Sequence, residues 1–360
     1  MKFRVTIWAG LVFCIFIVSH YVFKIQTFPA LRLLVILLFM TAVLNSCNNG
    51  KKKFGEFERT DPELNSIIGP DPKIEIIADG HEWTEGPLWV EEKKFLLYSD
   101  IPRNSIYKWT PEKGSELYLK PSGYTGSVSR GGETGSNGLL LNRNGQLVLC
   151  QHGDRRMALM DAPLDQPKPI FISLADNFMG KKFDSPNDAV FRSNGDLFFT
   201  DPPYGLEKNV DDPAKAAPYQ GVYKRSGDGK VTLLTDTITK PNGIAFLPGE
   251  KTILIACSDP EKAVWYEYDI GENDSLTNGR IFFDATPFKN SGKGLPDGMK
   301  IDKQGNVFAT GPGGIWIFNK NGKVLGKIKI PEATSNCALA DSDKTLYVTA
   351  DMYVLKVTLR

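Results

Sequence analysis

The stretch that decides the fold is PNDAVFRSNGDLFFTDPPYG, residues 186–205. It contains two short runs of apolar, β-branched and aromatic residues, and the triplet SNG at 193–195 between them is typical of the tight turn of a β-hairpin. The polar pair ND at 187–188 stands before the first run, where the hairpin needs no chain reversal. The opening pair therefore requires an explanation other than the turn.

The same pattern recurs with a period of about fifty residues, which is typical of propellers and other repeat arrays. Five further segments share an opening small or turn-forming pair, an apolar strand, a turn and a second alternating strand. They are EGPLWVEEKKFLLYSDIP from Glu85, SNGLLLNRNGQLVLCQHG from Ser136, PNGIAFLPGEKTILIACSDP from Pro241, PDGMKIDKQGNVFATGPGG from Pro296 and SNCALADSDKTLYVTADMY from Ser335. A further strand pair follows most of them, so each repeat has about four strands.

These repeats predict an all-β fold, a six-bladed β-propeller with four-stranded antiparallel blades over residues 73–360. Their regular recurrence argues against a β-sandwich. We expect the strand KIEIIADG at 73–80 to pair with the last blade, which would close the ring and remove a free sheet edge.

The composition excludes some functions. The 360 residues include 43 Lys and Arg against 42 Asp and Glu, so no basic surface indicates nucleic acid. The chain lacks a phosphate-binding Gly-x-x-x-x-Gly-Lys run, which argues against a nucleotide cofactor, and it lacks the Gly-x-Ser-x-Gly elbow of many serine hydrolases. Cys150, Cys257 and Cys337 lie in or beside apolar runs, where we expect buried thiols and no disulfide framework.

The N-terminal region differs from the rest of the chain. Residues 1–47 form an apolar leader, and LNSC at 44–47 is similar to a bacterial lipobox, which predicts a lipoprotein signal with Cys47 lipidated. Residues 48–72 predict a polar linker. We therefore expect a lipid anchor in the bacterial cell envelope, facing the periplasm or the cell surface; a two-helix membrane anchor is the alternative. A mature chain that begins near Met1 without a lipid would exclude the lipoprotein.

The opening pairs of the repeats predict a shared site. In a propeller the innermost strands surround the axis, so the residue that opens each inner strand points to a common centre. Two carboxylates and two amide carbonyls among these residues are hard oxygen donors that suit Ca²⁺ or another hard divalent ion. The predicted ligands are Glu85, Asn187, Asn242 and Asp297. The central channel is thus expected to contain one metal ion, calcium being favoured and zinc, manganese and magnesium being alternatives.

Antiparallel pairing places the ends of the second strands at the same face of the blades. This face is expected to carry Asp100 and Asp259 as well as the substrate-binding candidates. Those candidates are Asn137, His152, Asn187, Asp201 and Tyr204. For His152, a satisfied surface histidine is an equally good interpretation. The long insert GYTGSVSRGGETG at 123–135 is either a lid or a mobile loop.

The segments EGPLW, SPNDAVFRSNGDLFFTDPPYG, KPNGIAF and LPDGMKID resemble the senescence-marker-protein, gluconolactonase and regucalcin family of six-bladed propellers, and GPGGIWIF resembles its bacterial gluconolactonase branch. The resemblance implies one divalent metal held by Glu85, Asn242 and Asp297, with Asn187 close to metal and substrate and Asp297 transferring protons. It departs at Ser185, where animal members have a substrate-gripping arginine. Substrate choice is therefore not carried over.

The sequence and the resemblance together predict metal-dependent hydrolysis of a sugar lactone by metal-activated water, with Asp297 as the catalytic residue. One alternative is a non-catalytic cell-envelope binding propeller with a structural metal, since the fold alone does not determine function. Another is a hydrolase of a different ester or of organophosphates. A metal position open to solvent would favour an enzyme.

Overall fold

The computed structural model describes residues 54–360, which form 27 strands and four short 3-10 helices. The first two strands are β1 (Glu56–Arg59) and β2 (Ile74–Ala78). All 27 strands together build six antiparallel sheets and one small ribbon. The 3-10 helices span Pro62–Ser66, Asn209–Asp211, Glu272–Asp274 and Thr286–Phe288.

Six four-stranded units follow one another along the chain, and we call them blades 1 to 6. Blade 1 contains β3 (Thr84–Val90), β4 (Phe95–Asp100), β5 (Ser105–Thr110) and β6 (Gly114–Leu119). Blade 2 contains β7 (Ser136–Leu141), β8 (Leu147–Gln151), β9 (Arg156–Met160) and β10 (Phe171–Ala175). The ribbon β11 (Asn177–Phe178) and β12 (Lys181–Lys182) precedes blade 3, which contains β13 (Ala189–Phe191), β14 (Leu197–Asp201), β15 (Gly221–Arg225) and β16 (Val231–Thr235).

The second half of the ring repeats the arrangement. Blade 4 contains β17 (Pro241–Phe246), β18 (Thr252–Asp259), β19 (Lys262–Ile270) and β20 (Leu276–Asp284). Blade 5 contains β21 (Met299–Ile301), β22 (Val307–Gly311), β23 (Gly314–Phe318) and β24 (Val324–Lys329). Blade 6 contains β25 (Thr334–Ala340), β26 (Thr345–Ala350) and β27 (Tyr353–Thr358), and its fourth strand is β2.

The blades close into a ring around an axis. The first strand of each blade contacts the first strand of the next, and β25 of blade 6 contacts β3 of blade 1. The chain closes the ring with β2, which pairs antiparallel with β27 from Ile74 opposite Val357 to Ala78 opposite Val354. The six-bladed propeller and its closing strand are therefore confirmed.

The turns predicted inside the repeats are confirmed as well. In blade 3 the N–H of Arg192 donates to the carbonyl of Asp196, and Gly195 has a φ of 95°. In blade 5 the carboxylate of Asp302 accepts hydrogen bonds from the N–H groups of Gln304 and Asn306. These turns reverse the chain at one end of each blade, so the opening pairs stand at the other end.

The hydrophobic core is divided among the interfaces between neighbouring blades. Six clusters of buried side chains fill the six interfaces, for example Trp265 of blade 4 with Trp316 of blade 5, whose ring centroids are 6.2 Å apart. The thiols of Cys150, Cys257 and Cys337 are free and buried within this packing, as expected.

The predicted linker over 48–72 differs from the structure in its second half. β1 adds a fifth strand to blade 5 by pairing Glu56 with Lys329, and the following 3-10 helix buries Leu64 against blades 5 and 6. Ile67 and Ile68 are buried in the same cluster. The composition of this segment is polar, but its three aliphatic side chains remove apolar area from water, and that stabilises the docked form.

Cys47 and the apolar leader lie outside the described residues. Within 54–360, no helix has the length and apolar character that crossing a bilayer demands. Lipidation of Cys47 stays a prediction.

Candidate active site

The residues that open the inner strands meet at one end of the axis. They are Glu85, Asn137, Asn187, Asn242, Asp297 and Asn336, one from each blade. Five of these side chains are buried, and Asp297 is partly exposed. The convergence expected from the repeat is therefore present in the fold.

Glycine follows several of these residues because adjacent blades approach closely there. A Cβ atom on Gly243 would lie 2.2 Å from the carbonyl oxygen of Asp297 in blade 5. A Cβ atom on Gly298 would lie 2.0 Å from the side chain of Asn336 in blade 6. Neither distance is sterically allowed, so the glycine in the Asp297-Gly298 pair serves the contact between blades and not a tight turn.

All of the opening residues except Asn336 line a cavity of about 510 Å³, which is within the usual size of a small-molecule site. Six of the predicted site residues line it: Glu85, Asn137, Asn187, Tyr204, Asn242 and Asp297. The wall also contains Trp83, Glu133, Lys240, Ser258, Lys289 and Leu295. The cavity thus combines apolar surface with several polar groups at its base.

Three side-chain oxygens at this site are buried and have no hydrogen-bond partner among residues 54–360: Oδ1 of Asn137, of Asn242 and of Asp297. For Asn242 the amide nitrogen donates to Oγ of Ser258 at 2.9 Å, which leaves the carbonyl oxygen free. Buried polar atoms normally have partners, so unpaired oxygens of this kind indicate a missing ligand. A hard cation fits them because it binds carboxylate and amide oxygens.

The predicted metal ligands are unusual in having only two charged members. In the described part of the chain, no three His, Cys, Asp or Glu side chains converge as a metal cluster. The predicted site depends instead on Glu85 and Asp297 together with the amide oxygens of Asn187 and Asn242. Such a donor set suits calcium better than zinc.

The ionised forms of the carboxylates at the site are unfavourable without a nearby positive charge. Burial raises the pKa of Glu85, and the charges of Asp188 and Glu133 raise it further. Burial also raises the pKa of Asp297 well above its usual range, with Glu85 the next cause. A divalent cation would neutralise these groups, which is a second property that fits such an ion.

Next to the site, a lysine partly balances the negative charge. Burial raises the pKa of Asp188, and the nearby ammonium group of Lys300 acts in the opposite direction. Nζ of Lys300 donates to the carbonyl of Met299 at 3.0 Å and is 3.5 Å from Oδ1 of Asn336. Lys300 thus offsets part of the charge of Asp188, and Lys240 and Lys289 add two further ammonium groups to the cavity wall.

Two of the predicted substrate-binding residues, Asp201 and His152, do not line the cavity. The carboxylate of Asp201 accepts hydrogen bonds from the N–H groups of Asp184 (2.9 Å) and Ser185 (2.7 Å). It therefore fixes the loop that precedes Asn187. Asp100 has the equivalent role in blade 1, where it accepts a 3.3 Å hydrogen bond from the N–H of Trp83.

The side chain of His152 is also fully buried. Its Nδ1 is 3.0 Å from Oε2 of Glu133, an ion-pair distance, although the N–H is not aligned for a hydrogen bond. Glu133 lines the cavity, so His152 reaches it only through this residue. The interpretation of His152 as a surface histidine is wrong.

Ser185 stands where the resemblance would place an arginine. Its hydroxyl donates to the carbonyl of Pro202 at 2.5 Å and accepts a 2.8 Å hydrogen bond from the N–H of Gly205. These bonds hold the loop that presents Tyr204 to the cavity. Burial raises the pKa of Tyr204, with the charge of Asp297 as the second cause, so its hydroxyl stays protonated.

Some cavity residues were not predicted from the sequence. Glu133 belongs to the insert at 123–135, whose only signal is one acidic residue shortly before the opening pair of blade 2. Trp83 and Ser258 border an opening residue and a strand end, so the repeat pattern could have identified them. Lys240 stands directly before Pro241, as Ser185 and Leu295 stand before the corresponding prolines of blades 3 and 5, so the repeat pattern could have identified it too. Lys289 lies in the connection between β20 and β21.

Known proteins resemble this chain over most of its length. A family model described as SMP-30/Gluconolactonase/LRE-like region matches residues 83–351. The chain is 36% identical over 316 residues to the gluconolactonase of Zymomonas mobilis subsp. mobilis, covering 86% of this chain and 88% of that protein. It is 25% identical over 273 residues to pentonolactonase XacC of Haloferax volcanii, covering 74% and 80% respectively.

Among solved structures, a gluconolactonase from Xanthomonas campestris, XC5397, superposes with a TM-score of 0.71 at 25% sequence identity. The match covers 85% of this chain and 95% of that one. The family model spans the first strands of all six blades, from β3 to β25.

Proposed function

This chain belongs to the SMP-30/gluconolactonase/LRE-like family, and we propose that it hydrolyses a sugar lactone with the aid of a bound divalent cation. The observation that carries the proposal is the group of unpaired oxygens, including Oδ1 of Asp297, at the base of a cavity large enough for a sugar. The relatives named gluconolactonase and pentonolactonase support the choice of substrate class.

The cation would be held by Glu85, Asn187, Asn242 and Asp297. We favour calcium because the donors are all oxygen atoms and carry two negative charges. When bound, the ion supplies a Lewis acid that polarises the lactone carbonyl and makes water more acidic.

The chain's own residues then bind the substrate and move a proton. Asp297 would bind the cation through one carboxylate oxygen and accept the proton of the attacking water at the other. Its position is fixed because its N–H donates to the carbonyl of Thr310 at 3.2 Å and the N–H of Gly298 donates to the carbonyl of Ser335 at 2.8 Å. A base fixed in this way contributes about 10²- to 10⁴-fold to a hydrolysis rate.

The proposed reaction is balanced as follows. A new C–O bond forms between water and the carbonyl carbon, the ring C–O bond breaks, and the ring oxygen leaves as an alkoxide. The proton taken up by Asp297 passes to this oxygen, which gives a hydroxy acid and restores the carboxylate. The side-chain amides of Asn137 and Asn187 and the hydroxyl of Tyr204 line the cavity and would contact the hydroxyl groups of the sugar.

Asp297→Asn tests the proposal. The variant keeps the shape of the side chain, so we expect a normal fold and a loss of about 10²- to 10³-fold in kcat for glucono-δ-lactone, followed by acid release with added calcium. Asp236→Asn is the control, because Asp236 is exposed and does not line the cavity. An Asp297→Asn variant with unchanged kcat would contradict the role of Asp297. A wild-type protein that binds calcium yet hydrolyses no lactone would support a non-catalytic binding propeller.

A further inference from the structure

A third acidic side chain reaches the cavity from the insert between blades 1 and 2. Glu133 lines the cavity, and its side chain is 35% exposed. Its charge raises the pKa of both Glu85 and Asp297, so it lies close enough to interact with them. The proposed hydrolysis assigns no role to this carboxylate.

The backbone around Glu133 is fixed to the blades at several points. The N–H of Gly135 donates to the carbonyl of Ile101 at 2.9 Å, and the N–H of His152 donates to the carbonyl of Gly135 at 3.1 Å. The guanidinium group of Arg130 donates to the carbonyls of Gly153, at 2.9 Å, and of Gly205. The insert is thus anchored beside the cavity, and this anchoring argues against the mobile loop, one of the two interpretations of its sequence.

The start of the insert is fixed by one side chain of blade 1. Oδ1 of Asn104 accepts hydrogen bonds from the N–H groups of Gly123 (2.7 Å) and Tyr124 (3.1 Å). Both ends of the insert are therefore held, and the position of Glu133 is set by the fold and not by chance contact.

His152 supports the carboxylate from behind. Its imidazole is fully buried, and Nδ1 lies 3.0 Å from Oε2 of Glu133. Neither ring nitrogen makes an aligned hydrogen bond with any group in residues 54–360. Glu133 is the carboxylate within ion-pair distance of the ring, so a buried histidine is placed against an acid that faces the cavity.

A carboxylate accepts hydrogen bonds at two oxygens and has four lone-pair positions. One oxygen of Glu133 faces His152, which leaves the other free for a ligand in the cavity. Hydroxyl groups on neighbouring ring carbons are donors that a single carboxylate can bind, whereas a ring without hydroxyl groups offers it no donor. Hydrogen bonds to a charged acceptor are about twice as strong as neutral ones.

We propose that Glu133, positioned by His152, binds hydroxyl groups of the lactone ring and selects polyhydroxylated lactones over unsubstituted lactones of the same ring size. This inference rests on the proposed function and names a specificity-determining residue within it. Glu133 is the residue that contacts substrate, and His152 acts through it.

The test compares two δ-lactones that differ in their hydroxyl groups, glucono-δ-lactone and δ-valerolactone. For Glu133→Ala we expect kcat/KM to fall about 10- to 100-fold on the first and less than about 3-fold on the second, since a hydrogen bond to a charged group contributes about 1.5–3 kcal/mol. Glu133→Gln should lie between wild type and Glu133→Ala. Glu207→Gln is the matched control, because Glu207 lies against Gly131 of the same insert but is exposed and does not line the cavity.

A second series tests the positioning role of His152. His152→Gln should reduce the selectivity between the two lactones in the same direction as Glu133→Ala. The double variant should be no worse than Glu133→Ala, because two residues that act as a unit are not additive. Additive losses would overturn the role of His152, and circular dichroism distinguishes this outcome from failure to fold.

Direct binding separates this inference from the proposed function. Calorimetry with D-glucitol at saturating calcium should show about tenfold weaker binding by Glu133→Ala. If the wild type showed no lactonase activity but Glu133→Ala still bound glucitol more weakly, the proposed function would be wrong. The role of Glu133 in binding hydroxyl groups would then still hold. Equal losses on both lactones, or glucitol binding by Glu133→Ala as tight as by the wild type, would overturn the inference.

Discussion

Glu85 is buried, Asp297 is partly exposed, and both carboxylates face one cavity, where their desolvation has a cost that depends on pH. Desolvation raises the pKa of Glu85 to about 8, and burial together with the charge of Glu85 raises the pKa of Asp297. An acid whose pKa is higher in the folded than in the unfolded state stabilises the fold below its unfolded pKa, near 4. That stabilisation is lost as pH rises through the folded-state value.

A measurable pH dependence follows for the cation. Without it, Glu85 and Asp297 destabilise the protein progressively between about pH 5 and about pH 8, and protons compete with the ion at the lower pH. We expect calcium to raise Tm more at about pH 8 than at about pH 5, as measured by differential scanning fluorimetry against a chelator.

Glu85→Gln is the control for this measurement, since it removes one of the two titrating groups and should reduce the pH dependence of the calcium effect. The same increase in Tm at both pH values would contradict the assignment of these carboxylates to the cation.

At the residue scale, the sequence identified those positions that recur in register. The recurrence predicts that Glu85 and Asp297 face a common centre, and both line the same cavity. Asp201 was not correctly placed, because a strand end at the same face can serve the backbone of its own blade as well as a ligand. Glu133 was missed because an insert in a single repeat has no counterpart to compare with. The catalytic and binding roles stay predictions.

At the scale of the strand, the first strands of neighbouring blades approach each other so closely at some glycines that a Cβ atom does not fit. Gly243→Ala should shift the backbone of Asp297, since the new Cβ atom would lie 2.2 Å from its carbonyl oxygen. We expect a loss of about 1–3 kcal/mol in the free energy of unfolding and a weaker affinity for calcium. Urea denaturation and calorimetry measure the two effects.

Gly227→Ala is the matched control, because a Cβ atom there would meet no atom within 4 Å and the backbone has no positive φ. It should change the free energy of unfolding by less than about 0.5 kcal/mol. Equal behaviour of the two variants would show that blade 5 can move away from blade 4 without cost.

The strand scale also shows where local sequence rules are insufficient. The pair Asp297-Gly298 satisfies the rule for a hairpin turn, yet the hairpin of blade 5 reverses at 302–306. Comparison among repeats identified the correct turn from the sequence. The steric need for Gly298 depends on Asn336 in the neighbouring blade, a contact that no single repeat contains.

At the scale of the whole molecule, the segment before the ring is part of the fold. Leu64 is fully buried in the cluster between blades 5 and 6. Leu64→Ala should lower the free energy of unfolding by about 2–5 kcal/mol, measured by urea denaturation, because it leaves a cavity in a packed core. Leu117→Ala is the control, since Leu117 is 59% exposed and should tolerate the change with an effect below about 0.5 kcal/mol.

A Leu64→Ala variant as stable as Leu117→Ala would show that the segment behaves as a linker after all. The composition predicts a linker because polar residues dominate it, whereas the docked form depends on the pairing of β1 with β24 and on a few apolar side chains, including Leu64, Ile67 and Ile68. Blade number and ring closure were predicted correctly since they follow from a repeat that covers most of the chain.

The pairing of β2 with β27 also determines how the molecule can come apart. An open array of repeats has terminal units that contact a single neighbour, and such units fray first. Here every blade packs between two others, so the ring offers no end at which loss of structure could start. Opening one blade breaks two interfaces at once, which makes unfolding cooperative. The cavity at the end of the axis therefore keeps its structure until the whole ring unfolds.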